Sequence, residues 1–384
     1  SLCSGLHFEG LMTNAEGEML FIQRAIEEKM KPDYWWQDAG WYPCDGVGWP
    51  KVGTWKPDPV RFPKGLREVS DFAHQNSVKT MVWFEPERVS PDTWLSINHP
   101  EWIYGGKNGG LLKLGDPECR QWLIDHIDSV ITDQGIDLYR QDFNLDPLHY
   151  WRGNDTEDRQ GITEIYHVMG YLAYWDTLLN RHPDLLIDSC ASGGRRNDLE
   201  TMRRALPMLR SDYLFEPVGQ QCHTYGLSLW LPYHGAPMLD IDTYIVRSMM
   251  VLGFEIDTDM RKKDLNYDLL RELIDEWKTI NPYFYGDYYP LTSYSTDQAD
   301  WMAWQFNRPD LGEGVVQAFR RKDNMFPVGQ FPLQGLDPQG QYKLKDFDAK
   351  ENILVSGKEL MEKGIWIPID KTPGSSIIQY QKVK

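Results

Sequence analysis

Residues 137–144 read Asp137-Leu138-Tyr139-Arg140-Gln141-Asp142-Phe143-Asn144 and directly follow a segment with helical periodicity. The apolar start and polar end predict a short buried strand with a polar tip. Because successive strand side chains point to opposite faces, Arg140 and Asp142 share one face and Gln141 points to the other. A cation beside a carboxylate favours the ionised form, which a nucleophile needs. An Arg–Asp pair that only closes the interior of a barrel is the alternative interpretation.

Strand-like and helix-like segments alternate around this strand, from the N-terminus to about residue 285. Eight strands are predicted: Leu6–Glu9, Tyr34–Asp38, Lys79–Glu85, Asp137–Asp142, Leu185–Ser189, Met208–Asp212, Ser228–Leu231 and Leu252–Ile256. The predicted helices are Glu16–Lys29, Leu66–Gln75, Pro117–Asp133, Gln160–Arg181, Tyr244–Val251 and Leu265–Ile280. In the third helix the apolar residues Leu123, Ile127, Val130 and Ile131 recur at helical spacing, and Gly135 suits its end.

This order predicts an α/β fold, a (β/α)8 TIM barrel over residues 1–285, with its chemistry at the carboxyl ends of the strands. A doubly wound sheet is the structural alternative. It needs a glycine-rich phosphate turn after an early strand, which the sequence lacks. Residues 286–384 show short alternating runs between Gly, Pro, Asp and Asn turns, which predict a small C-terminal antiparallel β-sandwich domain. The runs are Trp301–Phe306, Gly314–Arg320, Gln341–Leu344, Ile365–Ile369 and Ser376–Gln381.

The composition favours a neutral substrate. The 384 residues carry a net charge of −17 without any Lys/Arg-rich run, which disfavours nucleic acid and anionic membranes as partners. The 16 Trp, 20 Tyr and 14 Phe suit the apolar faces of sugars, although they serve equally well in a core. Five cysteines without CxxC or Cys/His spacing argue against a disulfide framework or zinc site, and we expect no metal or organic cofactor.

The sequence also bears on membrane insertion and on the location of the protein. No apolar run approaches the length of a membrane helix, and no signal peptide opens the chain. Since the chain starts directly with a strand-like segment, we expect a leader or an upstream domain to have been removed. The compartment stays undetermined, with a bacterial secreted or periplasmic location favoured among the alternatives.

The second predicted strand ends in Trp36, Asp38 and Trp41, which suit a sugar because a carboxylate binds hydroxyls and an indole covers an apolar face. Alternatively, Asp38 caps the following loop and the indoles fill the mouth of the barrel. The third strand ends with Trp83, Glu85 and Glu87 around a proline turn. Here the alternative is that Glu85 is a buried support and Glu87 a loop charge.

The fifth strand leads into Cys190 and the pair Gly193-Gly194, where glycine lets backbone approach a ligand closely. A phosphate cradle is the alternative, but the Lys-Ser/Thr of a P-loop is missing. The sixth strand ends with Arg210 and Asp212 on one face. Carboxylates gathered in one mouth repel each other and lose hydration, so a set at several strand ends indicates a functional site. That set is Asp38, Glu85, Asp142 and Asp212, with Cys190 among them.

These motifs, in their order, resemble the alpha-galactosidases of glycoside hydrolase family 36, of the melibiase kind. The motifs are WQDAGW (36–41), VWFEPE (82–87), YRQDFN (139–144), SCASGG (189–194) and RSD (210–212). The resemblance covers about residues 6–285 and extends to the trailing β-domain. It implies that Asp142 is the nucleophile and Asp212 the general acid/base. It also implies sugar contacts from Trp83, Cys190 and Arg140, the last in place of a lysine with different geometry.

Two departures from the family pattern affect specificity and assembly. The family's Asp-Asp-Gly-Trp is Asp38-Ala39-Gly40-Trp41 here, so one carboxylate is lost, and the residues after Asp212 also differ. The family's large N-terminal β-domain has no counterpart in this chain, so we expect an upstream β-domain to be missing. That domain contributes to oligomer contacts in the family, so a homo-oligomer is one alternative for this protein.

The sequence therefore predicts a retaining alpha-glycoside hydrolase that cleaves terminal alpha-linked galactose from oligosaccharides or glycoconjugates. Asn144, Gly193 and Arg210 complete the predicted carbohydrate-binding set. An alpha-N-acetylgalactosaminidase or another alpha-glycosidase of the same clan is the alternative within the class. From other classes, a catalytically silent carbohydrate-binding barrel and a phosphosugar-processing barrel are the alternatives.

Overall fold

The structure, a computed structural model, describes residues 1–8, 11–213 and 216–383. It divides into two compact units, each discontinuous in sequence. The first unit comprises Ser1–Asp212 and Glu255–Lys263, and the second comprises Tyr213–Phe254 and Asp264–Lys384. The predicted domain boundary at residue 285 stays a prediction.

The helices of the described residues follow the predicted alternation. They are α1 (Ala15–Glu27), α2 (Arg67–Gln75), α3 (Trp94–Asn98), α4 (Pro117–Gln134), α5 (Leu148–Arg152), α6 (Ile162–Arg181), α7 (Leu199–Met202), α8 (Pro217–Leu227), α9 (Thr243–Met249), α10 (Tyr267–Ile280) and α11 (Gly357–Glu362). None of these helices has the length and apolar character needed to cross a bilayer.

Helix α4 illustrates how local sequence sets the helix boundaries. Asp116 caps its start, because its Oδ1 accepts the backbone N–H groups of Glu118 at 2.8 Å and Cys119 at 3.2 Å. Gly135 ends it in the left-handed conformation, at φ 68°. The predicted apolar stripe is buried as expected, at Leu123, Ile127, Val130 and Ile131.

The strands that precede the C-terminal region are β1 (Leu2–Cys3), β2 (Tyr34–Gln37), β3 (Lys79–Phe84), β4 (Arg88–Val89), β5 (Gly110–Leu111), β6 (Leu138–Gln141), β7 (Leu186–Ser189), β8 (Gly235–Met238) and β9 (Gly253–Ile256). Strands β4 and β5 form a small antiparallel pair. The other seven form a curled sheet in the order β7-β6-β3-β2-β1-β9-β8, with parallel registers from β7 through β1 to β9. The barrel class predicted from the sequence is confirmed, with seven strands in the described sheet where eight were predicted.

Two of the predicted strands were placed wrongly. The first strand is Leu2–Cys3. A 3-10 turn at Gly5–His7 includes the start of the predicted Leu6–Glu9 strand, and Glu9 lies outside the described residues. A Cβ at Gly5 would lie 2.5 Å from Asp38 Oδ2, so the turn depends on glycine. The run Ser228–Leu231 follows α8, and exposed Leu229 explains why it is not a buried strand; the strand there is β8.

The predicted strand Met208–Asp212 is also wrong. Only an isolated bridge between Asp188 and Leu206 continues the sheet beyond β7 in the described residues. The backbone N–H of Met208 donates to Asp188 Oδ1 at 2.7 Å, so a side chain occupies the group that a strand partner would have used. Arg210 and Asp212 therefore lie on a loop, and strand alternation does not place them on one face.

The C-terminal part of the second unit is the antiparallel domain that the sequence predicted. Its strands are β10 (Asp287–Pro290), β11 (Trp301–Arg308), β12 (Glu313–Arg320), β13 (Val328–Phe331), β14 (Gln341–Asp346), β15 (Ile353–Ser356), β16 (Ile365–Pro368) and β17 (Gly374–Lys382). Six form one sheet in the order β10-β11-β12-β17-β14-β15, and β13 pairs with β16. One core joins both sheets, with Val316 and Ile378 packed in the same cluster as Phe331 and Ile367.

Candidate active site

Asp142 stands directly after β6 and is a buried carboxylate that accepts several hydrogen bonds. Only 5% of the residue is exposed. Its Oδ2 accepts the indole N–H of Trp83 at 3.2 Å and the amide of Asn144 at 2.7 Å. Its Oδ1 accepts the backbone N–H groups of Phe143 at 2.7 Å and Ser192 at 3.1 Å. Four N–H donors thus converge on one carboxylate.

These donors set the charge of Asp142. Burial opposes its ionisation, but the positive charge of Arg140 and the hydrogen bonds from Asn144 and Ser192 outweigh that effect and hold its pKa below the ordinary value. A buried carboxylate that stays ionised keeps its lone pairs for attack on an electrophile. Asp142 is therefore equipped as a nucleophile.

Arg140 is held by a buried ion pair across two neighbouring strands. It lies directly opposite Asp188 in the β6–β7 register, and its Nη1 donates to the carboxylate of that residue. Its guanidinium also packs over the ring of Trp36, 4.2 Å from the centroid. The interior Arg–Asp pair considered from the sequence exists, although the partner is Asp188 rather than Asp142. The sequence analysis missed Asp188, which the parallel register of β6 and β7 would have placed opposite Arg140.

Asp212 occupies the exposed side of the same site. The thiol of Cys190 lies 3.9 Å from Asp212 Oδ1. Gly193, at φ 81°, allows this approach, because a Cβ there would lie 2.6 Å from the backbone nitrogen of Asp212. Loss of hydration and then the negative charge of Asp142 raise the pKa of Asp212, with Arg140 acting in the opposite sense.

The pKa values of the two carboxyl groups are thus displaced in opposite directions. Asp142 has a lowered pKa and Asp212 has a raised one, and each lies in the electrostatic field of the other. Environments that separate the pKa values of neighbouring carboxyls assign one to the ionised role and the other to the proton-donating role. The arrangement can therefore perform nucleophilic attack and general acid catalysis at one centre.

Asp38, after β2, adds a third carboxylate to the group. Burial raises its pKa to about 6, and the charge of Arg140 opposes that rise. Its Oδ1 accepts the backbone N–H of Ala39 at 2.8 Å. At neutral pH the group is then mainly ionised, so it can accept a hydrogen bond from a ligand hydroxyl.

Glu85 supports Asp142 through Asn144. Its carboxylate forms a two-point ion pair with Arg88, at 2.8 and 2.5 Å, and its Oε1 accepts the backbone N–H of Asn144 at 2.5 Å. Asn144 in turn accepts the Ser192 hydroxyl at 2.7 Å while it donates to Asp142. Glu85 therefore lies where it positions Asn144, as the sequence alternative proposed.

Glu87, considered from the sequence as a loop charge, is fully buried and organises the glycine loop. It accepts Arg196 at 2.6 and 2.9 Å, His167 at 2.8 Å and Gln141 at 2.8 Å. Burial opposes its ionisation, but Arg196 and His167 outweigh that effect and lower its pKa to about 2. This ion pair ties the loop after β7 to the loop after β3. Beside it lies a cavity of about 270 Å³, lined by Phe143, Trp151, His167, Arg196 and their neighbours.

The loop between Cys190 and Gly194 carries local strain. Ser192 adopts φ 46°, a left-handed conformation that is uncommon outside glycine. This conformation directs its N–H to Asp142 Oδ1. Strained backbone concentrates at functional sites, because the surrounding structure must hold it in place. The loop was predicted from its glycines, but the backbone donor at Ser192 was missed.

The predicted sugar-binding indoles are placed around the site but are covered. Trp36, Trp41 and Trp83 are 3%, 0% and 1% exposed. The indole N–H of Trp41 donates to the carbonyl of Trp83 at 2.8 Å. Arg210 is likewise buried. Asp198, the carboxylate that follows the glycine loop, caps α7, since its Oδ1 accepts the N–H groups of Glu200 and Thr201.

The described residues contain no group of three or more His, Cys, Asp or Glu side chains that could hold a metal ion. A curled parallel sheet with two carboxyl groups in the loops that follow its strands is an arrangement that glycoside hydrolases use. Residues 23–237 match the melibiase family model, and residues 301–379 match that of the glycosyl hydrolase family 36 C-terminal domain. The chain belongs to the melibiase family, and the resemblance found in the sequence is confirmed.

Several alpha-galactosidases are similar to this chain. Alpha-galactosidase Mel36A from Lactobacillus acidophilus is 27% identical over 360 residues, which cover 87% of this chain and 48% of that protein. Alpha-galactosidase C from Emericella nidulans is 27% identical over 377 residues, covering 89% of this chain and 48% of that protein. The chain therefore spans about half the length of the curated relatives it matches.

Solved structures agree in fold. The crystal structure of the family 36 alpha-galactosidase AgaA from Geobacillus stearothermophilus superposes with a TM-score of 0.87 at 22% identity, covering 100% of this chain and 55% of that one. A variant of AgaA in complex with raffinose gives a TM-score of 0.86 at 21% identity, with the same coverage. These similarities establish the fold of the chain.

Proposed function

We propose that the protein is a retaining alpha-glycoside hydrolase that removes terminal alpha-linked galactose from oligosaccharides or glycoconjugates. The loop of residues 190–193 contacts both carboxylates, through Ser192 to Asp142 and through Cys190 to Asp212, and this geometry carries the proposal together with the opposite displacement of their pKa values. Family membership and relatives named as alpha-galactosidases support the glycone. The roles that the sequence predicted for the site residues are part of this proposal.

The proposed reaction has two displacements. In the first, Asp142 attacks the anomeric carbon, the bond to the leaving oxygen breaks, and protonated Asp212 gives that oxygen its proton. In the second, Asp212 takes a proton from water, the resulting hydroxide attacks the same carbon, and Asp142 leaves. Arg140 keeps Asp142 ionised, while Asn144 and Ser192 hold its two oxygens in a fixed orientation. When Asp142 leaves the sugar, its carboxylate is negatively charged again and accepts the same hydrogen bonds as before the reaction.

The sugar-binding side of the proposal involves buried polar groups. Asp38 and Arg140 are proposed to bind hydroxyls of the glycone, with Cys190 and Gly193 at its rim. Glu85 acts through Asn144 rather than on the sugar. Ala39 is buried and cannot supply the second carboxylate of the family pattern. The glycone screen must therefore include N-acetylgalactosamine.

The first test is turnover of aryl alpha-glycosides that differ only at the second and fourth carbons of the sugar. We expect the galactoside to react fastest, with an alpha-configured first product by NMR. Trapping with an activated 2-deoxy-2-fluoro galactoside should label Asp142, as identified by peptide mass spectrometry. An inverted first product would contradict the mechanism. Sugar binding without any turnover would favour the silent carbohydrate-binding barrel, and preference for the N-acetylgalactosaminide would change the proposed substrate.

A further inference from the structure

Trp83 is almost fully covered, although it touches the nucleophile. Its ring lies 6.3 Å from that of Tyr42 and 6.4 Å from that of Trp55. Trp49 closes a third side, edge-on to Trp83 at 5.9 Å and 74°. With only 1% of Trp83 exposed, a sugar has no free face of this indole to stack on. The aromatic surface that solvent meets at this place belongs to Trp49.

Trp49 lies on the loop between β2 and α2, and 45% of the residue is exposed. The loop is anchored beside it. The carbonyl of Pro50 accepts Arg88 Nη2 at 3.4 Å, and the backbone N–H of Val52 donates to Ser90 Oγ at 3.1 Å. Arg88 is the same residue that pairs with Glu85 beneath Asn144. Arg88 therefore both anchors the loop that carries the exposed indole and supports the proposed catalytic carboxylate through Glu85 and Asn144.

Exposure distinguishes the two sides of the proposed site. The groups assigned to the terminal sugar are buried, as Asp142, Arg140 and Cys190 show. Asp212, which would protonate the leaving oxygen, is exposed, and so is Trp49. An indole with a free apolar face and a fixed position suits the C–H face of a pyranose ring. A ring at the exposed side meets the part of the substrate that extends beyond the enclosed sugar.

We propose that Trp49 is the platform for the leaving-group sugar and determines preference for oligosaccharide substrates. This inference rests on the proposed function. The residue takes no part in bond making, since it contacts Trp83 rather than the reacting carboxylates. Its contribution is confined to substrates whose leaving group carries a sugar ring.

The test compares a disaccharide with a fluoride. Melibiose has a sugar leaving group, whereas alpha-galactosyl fluoride has a single atom in its place. We expect Trp49→Ala to lower kcat/KM for melibiose about five- to tenfold, mainly through KM, as expected for one lost stacking contact. Turnover of the fluoride should change less than about twofold on the same argument. Trp49→Phe should restore most of the loss, because it retains an aromatic face.

A matched control is Trp366→Ala, which removes another exposed indole, 62% exposed on β16 of the second unit. It should leave both substrates unchanged. Equal losses for melibiose and the fluoride, or no loss for melibiose, would overturn the role of Trp49 while the hydrolase activity stands. A wild-type protein that turns over neither compound would instead overturn the proposed function, and this inference with it. Thermal unfolding of each variant should match wild type.

Discussion

Replacing Trp83 with Phe should make the nucleophile harder to ionise. The substitution removes the indole N–H that donates to Asp142 Oδ2 at 3.2 Å. A hydrogen bond to a charged group contributes roughly 1.5–3 kcal/mol, and this long one belongs at the lower end. At about 1.4 kcal/mol per pKa unit, the pKa of Asp142 should rise by about one unit. Since Asp142 must be ionised to attack, the acid limb of the kcat/KM profile should move up by about one pH unit.

The assay is the pH dependence of kcat/KM with an aryl alpha-galactoside, compared between Trp83→Phe and Trp55→Phe. Trp55 is a suitable control because it is also buried, packs on Trp83, and has no hydrogen-bond partner for its Nε1 among the described residues. Both variants lose an indole and leave a similar space in the same cluster. Only Trp83→Phe should shift the acid limb. An unmoved limb in Trp83→Phe, or the same shift in Trp55→Phe, would refute the electrostatic role assigned to this donor.

Three further predictions address the carboxylates. Asp142→Asn should lower turnover by roughly three orders of magnitude or more with unchanged thermal unfolding; retention of about a tenth of the wild-type rate would contradict its role. Asp212→Ala should spare substrates with good leaving groups, and added azide should restore its activity and give a product of retained configuration; rescue of Asp198→Ala instead would reverse the assignment. Glu87→Gln should lose about 3 kcal/mol of unfolding free energy at neutral pH, since burial opposes ionisation but Arg196 lowers the Glu87 pKa from 4.5 to about 2. That contribution is present above pH 4.5 and disappears as the pH falls toward 2, so urea midpoints of the variant and wild type should converge there.

The elements with strong local signals were predictable from sequence. Helix α4 was predicted to within one residue, because its cap, its apolar stripe and its terminal glycine are all local features. Strand β8 was missed, because Gly235–Met238 contains a glycine and a proline and no β-branched residue. Its four residues are all buried, so packing in the folded chain makes them a strand rather than intrinsic propensity.

The candidate site shows the same difference between features set by local sequence and features set by distant residues. The motifs placed Asp142, and a strand register explains the Arg140 environment once Asp188 is known to lie opposite. The sequence did not show which side chains are covered or paired by distant residues. Glu87 looked like a loop charge because its partner Arg196 is 109 positions away. The covered face of Trp83 likewise depends on rings contributed by a separate loop.

Two of the four donors to Asp142 are main-chain N–H groups, at Phe143 and Ser192. A side-chain substitution cannot delete a main-chain donor, except by proline, which has no N–H. Much of the stabilisation of the nucleophile is therefore insulated from ordinary mutation and is inherited with the path of the backbone. Substitution at position 143 leaves its main-chain donor in place, whereas Ser192 is constrained further, because its backbone is left-handed and its hydroxyl donates to Asn144. Changes that bend the loop, or that alter Arg140, Trp83 or Asn144, act directly on the charge of this carboxylate.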